Sequence, residues 1–231
     1  MMKRAALCLA AFLFAALATV APAQQNPQLE SVLNAMDRAA ASFRTAEAGF
    51  EWDQYQKVVD ETDVQKGTIY FRRNGKDLQM AADITDPGRY LLFTGGKVQV
   101  YEPKIDQVTE YDAGKNKGDV ESFLVLGFGG GGHDLLKSFD VSYGGAEQIG
   151  TVQTQKLLLK PKSVKAQAMF EQIILWIDPA RGISVQQKFI EPQSGNYRLV
   201  KYSEIKLNQK VPDNVFKLKT TGKTKYLRPQ G

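Results

Sequence analysis

Apolar and polar positions alternate with a period of two along most of this chain, and with a helical period only near its start. Strand side chains point to opposite faces in turn, so Phe50 and Trp52 against Glu51 and Asp53 mark Ala48–Tyr55 as a half-buried strand. Val58–Lys66 is polar enough to read as a turn. From Gly67 to Asp112 the pattern predicts a meander: Thr68–Arg73, Asp77–Ile84, Arg89–Thr94, Lys97–Tyr101 and Gln107–Tyr111, joined by short Gly, Pro, Asp and Asn turns. Strands resume at Phe139–Tyr143 and continue through Ala146–Pro161 (interrupted at Gly150), Phe170–Asp178, Ile183–Glu191, Asn196–Gln209 and Val215–Lys219. Ile173–Ile177 is almost wholly apolar and so calls for cover on both faces.

Helical spacing belongs to the first element after residue 25. Leu29, Val32, Leu33, Met36, Ala40 and Phe43 form one stripe, entered through Asn26 as N-cap and Pro27 at the first helical position. Such a stripe serves either to close a core or to cover a cavity, and periodicity alone does not separate the two. Val120–Phe128 reads as a second, shorter apolar helix after the polar loop Ala113–Asp119. The fold class is therefore mainly β (α+β). We expect an incomplete antiparallel β-barrel of about eleven strands, with an N-terminal amphipathic helix and short central helices covering a hydrophobic hollow.

The chain ends alter this picture little. Lys3 and Arg4, the uncharged run Ala5–Val20 and Ala21-Pro22-Ala23 have the form of a secretory signal cleaved after Ala23. The run is shorter than the roughly 20 residues a membrane span needs. The expected mature protein is one domain, Gln24–Gly231, without the chain's single cysteine, Cys8. That excludes disulfides, Cys nucleophiles and Cys–metal sites. Loss of Lys3 and Arg4 lowers the net charge of +5 by two. The remaining excess lies largely in Lys217, Lys219, Lys223, Lys225 and Arg228, without the clustered Arg or aromatic motifs of a nucleic-acid binder.

Little else carries chemistry. Gly129–Gly132 lacks the Lys-Ser/Thr that a phosphate loop requires, so a hinge or a close backbone approach explains it better. His133, the only histidine, stands beside Asp134, but no nucleophile motif or second metal ligand accompanies it, and a surface or hydrogen-bonding role is expected. No catalytic residue, metal or cofactor is expected. Arg73 is unusual: it shares a strand face with Ile69 and Phe71. It either snorkels to the rim or reaches carbonyls of a neighbouring helix or loop and pins them.

In order and spacing, four stretches resemble the periplasmic outer-membrane lipoprotein carriers (LolA-like). They are Gly67-x-x-x-Phe71-Arg72-Arg73; Thr94-Gly95-Gly96-Lys97-Val98-x-Val100-Tyr101-x-Pro103 with Gln107-Val108; Leu175-Trp176-Ile177-Asp178 through Gly182; and Val211-Pro212-Asp213-x-x-Phe216-Lys217-Leu218. The resemblance covers nearly the whole chain after residue 23. It implies an unclosed barrel capped by helices, with acyl chains in the apolar hollow, and a lid-latching arginine that maps to Arg73, although Arg72 is adjacent. The chain departs from the pattern at Arg73-Asn74, where the family has Arg-Pro, at Gly95-Gly96, where it has Asp-Gly, and in the Gly129–Gly132 run.

On this resemblance the first helix is the lid. Leu29, Leu33, Met36 and Phe43 would face Trp52, Ile69, Phe71, Leu78 and Met80 across the hollow. The implied function is a non-enzymatic, monomeric periplasmic carrier that accepts acylated lipoproteins or lipids from an inner-membrane release complex and yields them to an outer-membrane acceptor. The alternatives are a lipid or acyl sensor that regulates a partner from the same fold, and a hydrolase built on His133 and Asp134. A carrier passes its ligand on, a sensor holds it, and a hydrolase destroys it.

Overall fold

The computed structural model describes residues 26–75, 77–112, 114, 121, 123–124 and 126–229. The expected signal segment, almost all of the 113–119 loop and part of the 120–128 helix lie outside the described residues.

A helix, α1 (Pro27–Ser42), leads into two antiparallel meanders. Asn26 caps it as the sequence predicts, its Oδ1 accepting from the backbone of Gln28 at 2.9 Å and Leu29 at 3.3 Å. The first meander is β1 (Thr45–Gln56), β2 (Glu61–Asn74), β3 (Asp77–Ile84), β4 (Arg89–Thr94), β5 (Lys97–Glu102) and β6 (Gln107–Asp112). After a second helix, α2 (Gly132–Ser138), the second meander runs β7 (Phe139–Ile149), β8 (Val152–Pro161), the short α3 (Val164–Gln167), β9 (Gln172–Asp178), β10 (Ile183–Ile190) and β11 (Tyr197–Leu207). Pairing of β1 with β11 joins the meanders into one sheet, and β12 (Lys225–Leu227) adds to β6 in parallel. The order is β12-β6-β5-β4-β3-β2-β1-β11-β10-β9-β8-β7. β12 and β7 are edges, so the sheet is an unclosed barrel of twelve strands.

Three details depart from the sequence reading. Residues 61–66 extend β2 instead of forming a turn, pairing with Glu51–Gln56. Val64 is 45% exposed there, so no apolar alternation marks the strand. Lys66 and Lys201 flank Glu51 at 2.8 and 2.9 Å instead. Val215–Lys219 is not a strand. Its apolar residues lie flat on the outer face of the sheet, where Val211 and Phe216 bury against Ala81 and Leu92. Finally, β12 is short, exposed and basic, with no core-facing pattern to announce it.

Strand alternation divides the rest. On the concave face, Leu157, Leu159, Ile173, Leu175 and Ile177 of β8 and β9 pack with Val32, Leu33 and Met36 of α1. Beside them, Phe50, Phe71, Met80, Ala82 and Phe93 of β1–β4 form a second cluster with Phe43 and Phe128.

Candidate functional site

Between β1–β4 and β10–β11 the concave face is not filled. A cavity of about 200 Å³ remains. Trp52, Ile69, Phe71 and Met80 line it from one side, and Phe189, Val200 and Tyr202 from the other. Phe123 and Leu124, from the segment before α2, cover it. The lining is apolar apart from Gln187 and Tyr202, and the Trp52 indole N–H is closed to solvent. Loss of solvent pushes the Tyr202 phenol far above its ordinary range.

The cover is tied down by backbone closeness. Gly129 has φ of +79°, and a Cβ there would overlap the ring of Phe43. One at Gly132 would overlap the Leu33 backbone. The glycine run is thus a close approach of the covering segment to α1 and its C-terminal junction, the second of the two roles its sequence suggests. Arg73 completes the attachment. Its Nη2 donates to the Gly129 carbonyl at 2.9 Å, while its backbone N–H donates to Arg44 O at 2.8 Å. Nε of Arg73 is buried without a partner. Arg72 lies on the opposite face of β2, over the Phe216 ring and paired with Asp213. Alternation therefore separates two adjacent arginines into inner and outer roles.

The residues expected to form the hollow divide accordingly. Trp52, Ile69, Phe71 and Met80 line the cavity. Phe43 is buried beside it, against the glycine segment. Leu78 sits opposite Arg73 in the β2–β3 ladder, 4% exposed, without lining the cavity. Leu29, Leu33 and Met36 do not line this cavity. Leu33 and Met36 are buried in the cluster over β8 and β9, with Leu29 packed against its side. α1 thus covers the adjoining part of the concave face, and Phe123 and Leu124 bound the cavity itself. Phe123 and Phe189 stand at the border, lining the cavity and also packing against the α1 cluster. Sequence inspection missed Phe189, Val200 and Tyr202. Their alternation was visible, but not that β11 pairs with β1.

His133 is an α1–α2 clasp. Its Nδ1 contacts Asp37 Oδ2, and its Nε2 lies 3.2 Å from Glu30 Oε2. These two bonds, the one to Asp37 foremost, raise its pKa. Asp134 instead pairs with Lys137 at 2.6 Å. Among the described residues no group of three or more His, Cys, Asp or Glu is placed to hold a metal ion.

An unclosed barrel with an apolar interior, under a cover fixed by one guanidinium, defines a class of shells for apolar ligands. Residues 41–219 match the family model described as outer membrane lipoprotein carrier protein LolA, and the chain belongs to that family. No curated protein matches it. An uncharacterized conserved protein from Thermus thermophilus superposes with a TM-score of 0.55 at 11% identity, over 87% of this chain and 98% of that one. MucB, in the Pseudomonas aeruginosa MucA/MucB complex, gives 0.50 at 10% identity, over 84% of this chain and 61% of that one. At such identities these likenesses speak to the fold alone.

Proposed function

We propose that this protein is a non-enzymatic periplasmic carrier. It takes acyl chains of lipoproteins into the cavity on the concave face and yields them to the outer membrane, with Arg73 latching the cover. Family membership supports the cargo class. The single observation that carries the mechanism is an apolar cavity roofed by a segment that one half-buried guanidinium fastens to the opposite strand. Each methylene withdrawn from water gains about 0.8 kcal/mol, on the order of 10 kcal/mol for a sixteen-carbon chain. Carrying such a chain through water therefore requires a sheltered interior, and releasing it requires a closed state only slightly favoured over the open one.

Volume sets the order of events. A cavity of about 150 Å³ holds a benzene, so the 200 Å³ here accepts part of a chain at most while the cover is down. Phe123, on the border between the cavity and the α1 cluster, is the side chain whose displacement extends the hollow toward α1. Loading thus requires the cover to move and the bond from Arg73 to Gly129 to break.

This reading is tested by native mass spectrometry of the chain from Gln24 onward, recovered from a periplasmic extract, followed by titration with a purified acylated lipoprotein. We expect acylated species to co-purify. If the open form binds, removing the latch raises the open fraction and tightens apparent binding. Arg73→Leu should therefore lower the apparent Kd by about ten- to a hundredfold, the worth of one charged hydrogen bond. A chain that carries no acyl species and ignores added lipoprotein contradicts the reading. A sensor would bind without passing its ligand to acceptor membranes.

A further inference from the structure

Three polar side chains at an apolar cavity have no hydrogen-bond partner among the described residues. Gln187 is 4% exposed and lines the cavity, yet its amide makes no hydrogen bond among the described residues. The Trp52 indole Nε1 is buried and unpaired. Tyr202, half-buried, lines the same space, and its hydroxyl makes no hydrogen bond among the described residues. Gln187 and Tyr202 stand together around Gly127 under the cover. A Cβ at Gly127 would collide with Gln187 Nε2 and lie 3.7 Å from the Tyr202 ring.

A surface built only to shelter hydrocarbon has no use for these groups. Leu in place of Gln187, or Phe in place of Tyr202 or Trp52, would be drier and more favourable for a methylene chain. Buried polar groups are retained where something hydrogen bonds to them. Water can serve Gln187 and Tyr202 while the cavity is empty, whereas the Trp52 indole N–H is closed to solvent. A plain alkyl chain that displaces the water leaves all three unpaired, whereas a chain that brings its own oxygen does not. The indole N–H only donates, the Gln187 amide offers two N–H donors, and the Tyr202 hydroxyl donates as readily as it accepts. What suits all three is an acceptor.

Deepening the carrier reading and resting on it, we propose that the Gln187, Tyr202 and Trp52 side chains form a polar subsite for the carbonyl oxygen of an ester- or amide-linked acyl chain. The cavity then selects acyl chains over hydrocarbons of equal size, and places the junction between chain and head under the 123–128 segment. Discrimination of this kind arises because the wrong ligand leaves buried groups unpaired.

The test uses the chain from Gln24 onward and two probes with the same number of non-hydrogen atoms, methyl decanoate and tridecane, titrated by calorimetry or by NMR shifts of the Trp52 indole. Because tridecane gains more on leaving water, the subsite is read from the ester-to-alkane affinity ratio, which should be about five- to tenfold higher in wild type than in Gln187→Leu, the worth of one or two hydrogen bonds. Tridecane binding itself should hold or improve in that variant. Tyr202→Phe, which leaves the ring contacts in place, should lower the ratio in part. A ratio that neither substitution changes overturns the polar subsite while leaving the carrier reading intact. Binding of neither probe overturns both.

Discussion

Arg73 and Gly129 concentrate the account at the scale of single residues. A guanidinium that donates to one carbonyl keeps a donor buried only if that bond holds, and such charge-assisted bonds contribute about 1.5–3 kcal/mol. Arg73→Leu removes it without leaving a stranded charge. We expect amides of residues 126–131 to exchange with solvent at least about tenfold faster in this variant, while those of β8 and β9 keep their protection. Equal acceleration throughout the sheet would mean that Arg73 supports the fold as a whole. Gly129→Ala should act in the opposite structural sense, by collision. With φ at +79° and the Phe43 ring against the missing side chain, it should lower stability by about 2 kcal/mol, read from chemical denaturation.

Among the elements, α1 and α2 meet through His133, and that contact depends on pH. The hydrogen bond to Asp37 and then that to Glu30 raise the imidazole pKa above 6.5, against the opposing effect of burial. The folded state therefore holds this proton more tightly than the unfolded one. The contribution is complete below about 6.5 and is lost as pH rises through the raised value. Asp37 has the opposite sign. Burial would raise it, but the bonds from the His133 ring and backbone, with that from Gly132, hold it below 3.8. Its contribution is lost as pH falls through that lowered value. Thermal melts across neutral and mildly alkaline pH should show a decline in wild type that His133→Gln lacks. Identical profiles would show that the clasp is idle.

The same helix shows where sequence reading stops. Its stripe, its cap at Asn26 and its length were all legible, because each is local. Its partner was not: Leu33 and Met36 fit β8–β9 and the hollow equally well as apolar surfaces, and only the β1–β11 pairing decides which of them α1 meets. The inward row Ile69, Phe71, Arg73 was legible from alternation, which also assigns Arg72 outward to Phe216. The start of β2 and all of β12 were not, since neither buries an apolar face. Gln187 drew no attention because the Gln186-Gln187 pair carries no pattern that says which of the two faces inward; its burial is a property of the fold.

Across the whole molecule, the two faces of the sheet do different work. The outer face is covered in part by the C-terminal segment, where Phe216 is buried against Leu92 and Ala81 and the Tyr90 hydroxyl donates to Val215 O at 2.5 Å. Beside it lies a pocket of about 490 Å³ whose walls carry Asp83, Arg89, Lys217 and Lys219, whereas the inner cavity between β1–β4 and β10–β11 is apolar. Phe216→Ala should therefore cost about 3–5 kcal/mol of stability while leaving the affinity for an acyl ligand unchanged below the melting transition. A parallel loss of affinity would place the ligand on the outer face.

Whether an acyl chain enters the inner cavity can be read from the protein's own fluorescence. The chain has two tryptophans; Trp52 lines the cavity, and Trp176 bonds Glu147 at 2.9 Å outside it. In a Trp176→Phe variant, titration with 9,10-dibromostearate places heavy-atom quenchers along the bound chain. The account predicts saturable quenching of Trp52, relieved by unbrominated stearate. Saturable binding of the brominated chain without quenching of Trp52 would contradict it.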